Sequence, residues 1–201
     1  FSLGKSLDKR ELIALRITSS KEPEGKLPAV LFLGTHHARE HLSTEVPLLL
    51  AKELVENSAD PRIARLLASR VVYIVPMVNP DGVEKDLEND NYHMWRKNSR
   101  RNGDGSEGVD LNRNYGFGWG GGGASKNPSS ETYRGPGPFS EPESQAVKSF
   151  VESHPNIRIL LSYHTFSELI LYPWGHTYDP IKDERDRKVH EVMAKKMAGW
   201  N

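Results

Sequence analysis

Ala29-Val30-Leu31-Phe32-Leu33-Gly34-Thr35-His36-His37-Ala38-Arg39-Glu40 joins an apolar run to a histidine and a glutamate three positions apart. The run has the length and side chains of a buried strand. Open α/β sheets place their ligands just outside the carboxyl ends of strands, which is where His37 and Glu40 fall. Neutral imidazole and carboxylate are good zinc ligands, and a catalytic zinc takes three protein ligands with a fourth position left open. A lone His-x-x-Glu is more often two polar neighbours on a solvated helix. A third ligand must therefore come from elsewhere.

His164 supplies it, closing the apolar stretch Ile159-Leu160-Leu161-Ser162-Tyr163 just as His37 follows the stretch ending at Leu33. A short ligand pair fixes local geometry, and a distant ligand locks the fold around the ion. The chain has no cysteine, so disulfides and thiolate ligands are excluded and only imidazole and carboxylate remain. Between the ligands lie Met94-Trp95-Arg96-Lys97-Asn98 and Val109-Asp110-Leu111-Asn112-Arg113-Asn114. An arginine fork with a neighbouring Asn suits a carboxylate-terminated substrate. Asp110 is a short acid that could accept from the far nitrogen of a zinc-bound histidine. Lys97, Arg100 and Arg101 read as ordinary solvated loop charges.

Around these motifs, hydrophobic periodicity and turn signals predict strands over 10–18, 29–33, 71–75, 157–163 and 169–172. Helices are expected over 44–57 with Ser43 as N-cap, over 62–68, from the Ser140-x-x-Glu143 capping box to about 153, and over 183–199. Residues 79–142 read as one long irregular segment, a length that a domain tolerates mainly for function. Strands alternating with helices imply α/β architecture. The 201 residues are 36% hydrophobic, and 27 Lys and Arg balance 27 Asp and Glu. That balance gives no bulk attraction to nucleic acid or to a membrane surface. No apolar run approaches the ~20 residues of a bilayer span.

Together these residues resemble the M14 metallocarboxypeptidases, the carboxypeptidase A/B and carboxypeptidase T family. The resemblance rests on Gly34-x-x-His37-Ala38-Arg39-Glu40-His41, Trp95-Arg96-Lys97, Asp110-Leu111-Asn112-Arg113-Asn114, Ser130-Glu131-Thr132-Tyr133 and the run from Ser162 to Gly175. His41, where the animal enzymes usually have Trp, gives it the flavour of the bacterial carboxypeptidase T branch. The family implies a three-layer α/β/α domain with a mixed, mostly parallel twisted sheet. It implies one zinc ion on His37, Glu40 and His164, with Asp110 behind His37. It implies Arg96 stabilising the oxyanion, Asn112 and Arg113 clamping the substrate's C-terminal carboxylate, Arg39 as a further substrate contact, and Leu171 and Gly175 lining the pocket for the terminal side chain. Phe166 stands where the family usually has Tyr.

The implied activity is exopeptidase cleavage of peptides or proteins with a free C-terminus, by a secreted or extracellular monomer. The family's general-base glutamate and its capping tyrosine are expected downstream of Asn201. Residues 1–201 are then expected to form a single, incomplete catalytic domain that holds zinc but hydrolyses slowly, since losing a general base costs ~10²–10⁴-fold. Two alternatives stand beside this reading. One is a cell-wall peptidase of the same superfamily acting next to diaminopimelate, and the other is a non-catalytic member or fragment that binds peptide or zinc. The Asn112-Arg113 pair favours the exopeptidase, because recognising a chain terminus needs a fixed partner for its carboxylate.

Overall fold

A computed structural model describes residues 1–200. Its centre is a four-stranded mixed sheet. Glu11–Ile13 (β2) pairs antiparallel with Ser2–Lys5 (β1) as a separate ribbon. Leu15–Ile17 (β3) is the antiparallel edge of the main sheet, followed in space by Val71–Val75 (β5), Ala29–Leu33 (β4) and Ile157–Ser162 (β6). The last three run parallel, so the carboxyl ends of β5, β4 and β6 lie side by side.

Alternation along the strands divides the interior. Leu31, Leu33, Val71, Tyr73 and Val75 face one side, where they pack with Val147 and Phe150 of the helix Pro142–Ser153 (α4). Val72 and Ile74 face the other side, against Ala51 and Leu54 of Leu42–Glu56 (α1) and Leu67 of Pro61–Ser69 (α2). Helices on both faces of a sheet explain why β5 is buried along its whole length. The expected three-layer α/β/α architecture is therefore what the chain adopts. At ~25 cal/mol per Å² of apolar surface, these two clusters supply most of the driving force for folding.

Five local expectations are corrected. The segment 10–18 is two strands, because Ala14 is fully buried at a bend where the chain leaves the ribbon and joins the main sheet. Residues 169–172 form no strand. Leu169 and Leu171 are exposed, and an apolar run without a neighbouring strand edge has nothing to pair with. Ser43 does not cap α1, which begins at Leu42. Its hydroxyl donates back to the Glu40 carbonyl and accepts from the Thr35 N–H. The N-cap of α4 is Glu141 rather than Ser140, and the Glu143 carboxyl accepts from the Leu7 N–H instead of closing a capping box. The long segment 79–142 also contains a helix, Pro80–Asp86 (α3), whose N-cap Asn79 accepts from the Gly82 N–H at 3.0 Å. Its Asn-Pro-Asp-Gly start reads equally well as a turn. Glu184–Ala198 (α5) buries no residue.

Candidate active site

The turn after β4 is held open for the site by close backbone approach. A Cβ on Gly34 would come within 2.2 Å of the Ser43 carbonyl and 2.4 Å of the Pro76 carbonyl. Thr35 takes a left-handed backbone (φ 50°), and its hydroxyl bonds to those of Ser43 and Thr44. This tight exit delivers His36 and His37 beneath the start of α1, and Glu40 lies two residues before that helix. The parallel register then decides the distant partner. Leu33 sits opposite Ser162 and its carbonyl accepts from the Tyr163 N–H at 2.8 Å, so the residues that follow β4 and β6 emerge together.

Accordingly the ligand atoms of His37, Glu40 and His164 all lie within 4.8 Å of one another. His37 Nδ1 is 2.7 Å from Glu40 Oε1, His164 Nδ1 is 2.9 Å from Glu40 Oε2, and the two Nδ1 atoms are 3.2 Å apart. Each histidine turns the same nitrogen inward. The far nitrogen of His37 meets Asp110 Oδ1 at 3.2 Å, and Asp110 is fully buried. A carboxylate behind an imidazole fixes its tautomer and leaves the inward lone pair free for a cation. Burial alone would raise the Glu40 pKa, but the bonds from His164 and His37 overcome it and hold Glu40 well below the usual carboxylate range. Burial likewise opposes charge on His37, yet Asp110 and Glu40 outweigh it and raise its pKa. Two imidazoles and one carboxylate around an open centre are a donor set that fits zinc. Next to them His36 is buried and neutral, pushed down to about 3 by desolvation and by the neighbouring His164 and His37.

Arg96 reaches the centre from the loop before the second motif. Its Nε and Nη2 donate to Asp110 Oδ2 at 3.2 and 3.0 Å, while Nη1 lies 4.0 Å from Glu40 Oε1. Asp110 thus bridges His37 and Arg96. The loop is anchored by the Ala38 and Arg39 N–H groups, which donate to the Arg96 and Trp95 carbonyls. Asp86, also fully buried, accepts from the Trp95 N–H and pairs with His41 at 2.8 Å. Asp86 escaped the sequence reading because nothing local distinguishes it from a surface acid on a polar helix.

Asn112, Arg113, Leu171 and Gly175 line one cavity of about 580 Å³, with Phe117 and Trp174 stacked in its wall at 4.8 Å between centroids. Arg113 is oriented by Nε donating to the Gly123 carbonyl and Nη1 to the Asn112 carbonyl. Arg39 lies elsewhere, ion-paired with the exposed Glu131 at 3.2 Å. Two loop charges depart from expectation. Lys97 is buried, and its ammonium donates to the Pro128 carbonyl, with desolvation lowering its pKa. Arg100 pairs with the buried Glu141 at 2.9 Å. Each is held because the surrounding loop wraps inward and carries its own acceptors. Arg101 is exposed, as expected.

The zinc carboxypeptidase family (Peptidase M14) matches residues 1–200. A zinc carboxypeptidase of Saccharothrix mutabilis subsp. capreolus is 38% identical over 100% of this chain and 48% of its own length. A metallocarboxypeptidase A-like protein of Trichophyton verrucosum is 39% identical over 87% of this chain and 41% of its own. Among solved structures, the carboxypeptidase A of Helicoverpa armigera superimposes with a TM-score of 0.86 at 29% identity, covering 98% of this chain and 47% of that one. The chain therefore spans about half the length of the relatives it matches.

Proposed function

The chain belongs to the zinc carboxypeptidase family, and from that premise we propose that it serves an exopeptidase that removes C-terminal residues from peptides. His37, Glu40 and His164 hold one zinc ion in this reading. The observation that carries it is the convergence of the three ligand groups, with both Nδ1 atoms turned inward and Asp110 behind His37. Bound zinc would supply Lewis acidity, polarising a carbonyl and lowering the pKa of a coordinated water to ~7.

The chain's own residues do the rest of what falls within 1–200. Arg96, braced on Asp110 and reaching toward Glu40, places a guanidinium where charge develops on the scissile carbonyl oxygen. Asn112 and Arg113 hold the substrate's terminal carboxylate at the mouth of the cavity that Leu171 and Gly175 also line. Among the described residues that cavity has aromatic and aliphatic walls and no lysine, nor any arginine beyond Arg113, so an apolar or aromatic terminal side chain suits it best. Arg39 adds a peripheral contact. Intact ligands and both arginines favour this reading over a non-catalytic one, and no observation favours the cell-wall alternative. No helix of the described residues is long and apolar enough to cross a membrane. We place the protein outside the cell as a monomer, with residues 1–201 belonging to a single catalytic domain.

The test is hydrolysis by the full-length protein of a peptide with a free C-terminus and of its amidated twin, each with and without a chelator. Only the free-acid peptide should be cut, and the chelator should abolish cutting. Equal cleavage of both peptides rejects the clamp, and indifference to the chelator rejects the zinc. Arg113→Ala should raise KM and cut kcat/KM by ~10²-fold, since a charged hydrogen bond to the substrate is lost.

A further inference from the structure

The two histidines of the metal centre are backed differently. Within residues 1–200 His164 is exposed, and among the described residues its far nitrogen, Nε2, meets no carboxylate. It lies 3.3 Å from Oγ of Ser162, the last residue of β6, two positions earlier. Ser162 Oγ is in turn 3.1 Å from Nδ1 of the buried His36. The other nitrogen of His36 is 2.8 Å from the Tyr115 hydroxyl. The His36 and His164 rings are stacked, 5.9 Å apart and inclined by 19°.

The directions of these bonds follow from the donor inventory. His164 Nδ1 faces Glu40 Oε2 and His37 Nδ1, so it must present a lone pair to any cation held there, and the ring proton resides on Nε2. That proton is donated to Ser162 Oγ. The Ser162 hydroxyl then donates to His36 Nδ1, which leaves the His36 proton on Nε2, donated to the Tyr115 oxygen. With a cation at the centre, both ring N–H groups and the serine hydroxyl along the line each meet an acceptor. We infer that Ser162 and His36 are positioning residues for His164, a hydroxyl-bridged stack of two imidazoles that fixes the tautomer and ring plane of the third zinc ligand.

Without the bridge, Nε2 of this exposed ring would bond to water. The ring could then turn about its Cβ–Cγ bond, which swings Nδ1 away and presents the carbon Cδ2 to the centre. A tight β4 exit is what makes the bridge possible. Leu33 and Ser162 are register partners, so the residue three beyond Leu33 can reach the Ser162 hydroxyl. The inference rests on the zinc reading above.

Zinc affinity, measured by competition with a chromogenic chelator at fixed pH, tests it in the full-length wild type, Ser162→Ala, Ser162→Thr and His36→Phe. Partners behind a metal-bound histidine are worth ~10–100-fold in affinity. For this neutral bridge the expected loss is ~10-fold in Ser162→Ala, with recovery to within about twofold in Ser162→Thr. Spectra of ¹⁵N-histidine-labelled, zinc-loaded protein should show a protected His164 Nε2 proton that Ser162→Ala loses. The metal-free melting temperature of Ser162→Ala should match the wild type, because the change removes one neutral hydroxyl and no apolar contact. His36→Phe keeps the stack and breaks the bond, so it should follow Ser162→Ala. A wild type that binds no zinc overturns the zinc reading itself. A wild type that binds one zinc, with Ser162→Ala binding as tightly and showing the same tautomer, overturns this inference alone. So does an affinity loss in Ser162→Ala that comes with a destabilised metal-free fold and no change in tautomer.

Discussion

His37 and His164 follow adjacent parallel strands and turn the same nitrogen inward, yet their surroundings are opposite. The His37 side chain is 4% exposed and backed by the buried carboxylate of Asp110, whereas that of His164 is 31% exposed and backed by a serine. β4 lies between β5 and β6, so whatever follows it is enclosed by α1 and the 94–113 loops. β6 is an edge strand among the described residues, with alternate positions exposed. Among residues 1–200, identical ligand chemistry is thus backed once by a buried charge and once by a neutral hydroxyl. Electrostatic backing is stronger where water is excluded, so the His37 side should dominate both affinity and stability.

Asp110→Asn breaks that comparison most directly. The amide cannot serve His37 and Arg96 as a shared anion, so zinc affinity should fall ~100-fold, against ~10-fold for Ser162→Ala. Stripping Arg96 of its buried partner should also cost about 3 kcal/mol in chemical denaturation. An affinity loss no larger than that of Ser162→Ala would show the two backings to be equivalent.

The strands themselves offer a second contrast. Leu31 on β4 is fully buried, while Leu160 on β6 is 45% exposed. Leu31→Ala should destabilise by about 3 kcal/mol through lost contacts and a residual cavity, and, in residues 1–201 by themselves, Leu160→Ala by less than about 1 kcal/mol. Equal shifts in the denaturation midpoint would mean that β6 is covered as deeply as β4.

A buried acid behind the enclosed side sharpens the point through pH. Burial pushes the Glu143 carboxyl up to about 7, with Asp81 and Glu141 adding to the shift against the bond from the Leu7 N–H. Below about pH 4.5 the group is protonated in both folded and unfolded chains and contributes nothing. As pH rises toward 7 the unfolded chain ionises first, so stability falls, by at most about 3 kcal/mol at ~1.4 kcal/mol per unit. Glu143→Gln retains the acceptor for Leu7 and removes the charge. The metal-free variant should therefore gain stability over the wild type between pH 5 and 8. A difference that stays flat across that range would refute a raised Glu143.

The smallest effect belongs to the open rim. Arg39 and Glu131 form an exposed pair that contributes little to stability. Glu131→Gln should leave the melting temperature unchanged while releasing Arg39 to substrate, lowering KM slightly. A higher KM would place Glu131 itself on the substrate.

Much of this was legible in the chain as written. Ala29–Leu33 and Val71–Val75 are strands within the stated bounds, as short β-branched and apolar runs bounded by turn signals suit a sheet covered on both faces. The α/β class follows from the order of elements. The errors concern segments whose partners lie far away in sequence. Residues 169–172 carry the composition of a strand but have no edge beside them. Lys97 and Arg100 look solvated until the loop around them folds inward.

By itself the sequence determined which atoms could bind a cation, since the supply of imidazole, carboxylate and guanidinium is a covalent fact. It also set where they stand on strand ends, because hydrophobic periodicity is local. Only the tertiary structure decided that Leu33 faces Ser162, that Asp110 spans His37 and Arg96, and that His36 leans back on His164. Those are matters of long-range register and burial, settled by the packing of the whole sheet, and no spacing along the chain encodes them.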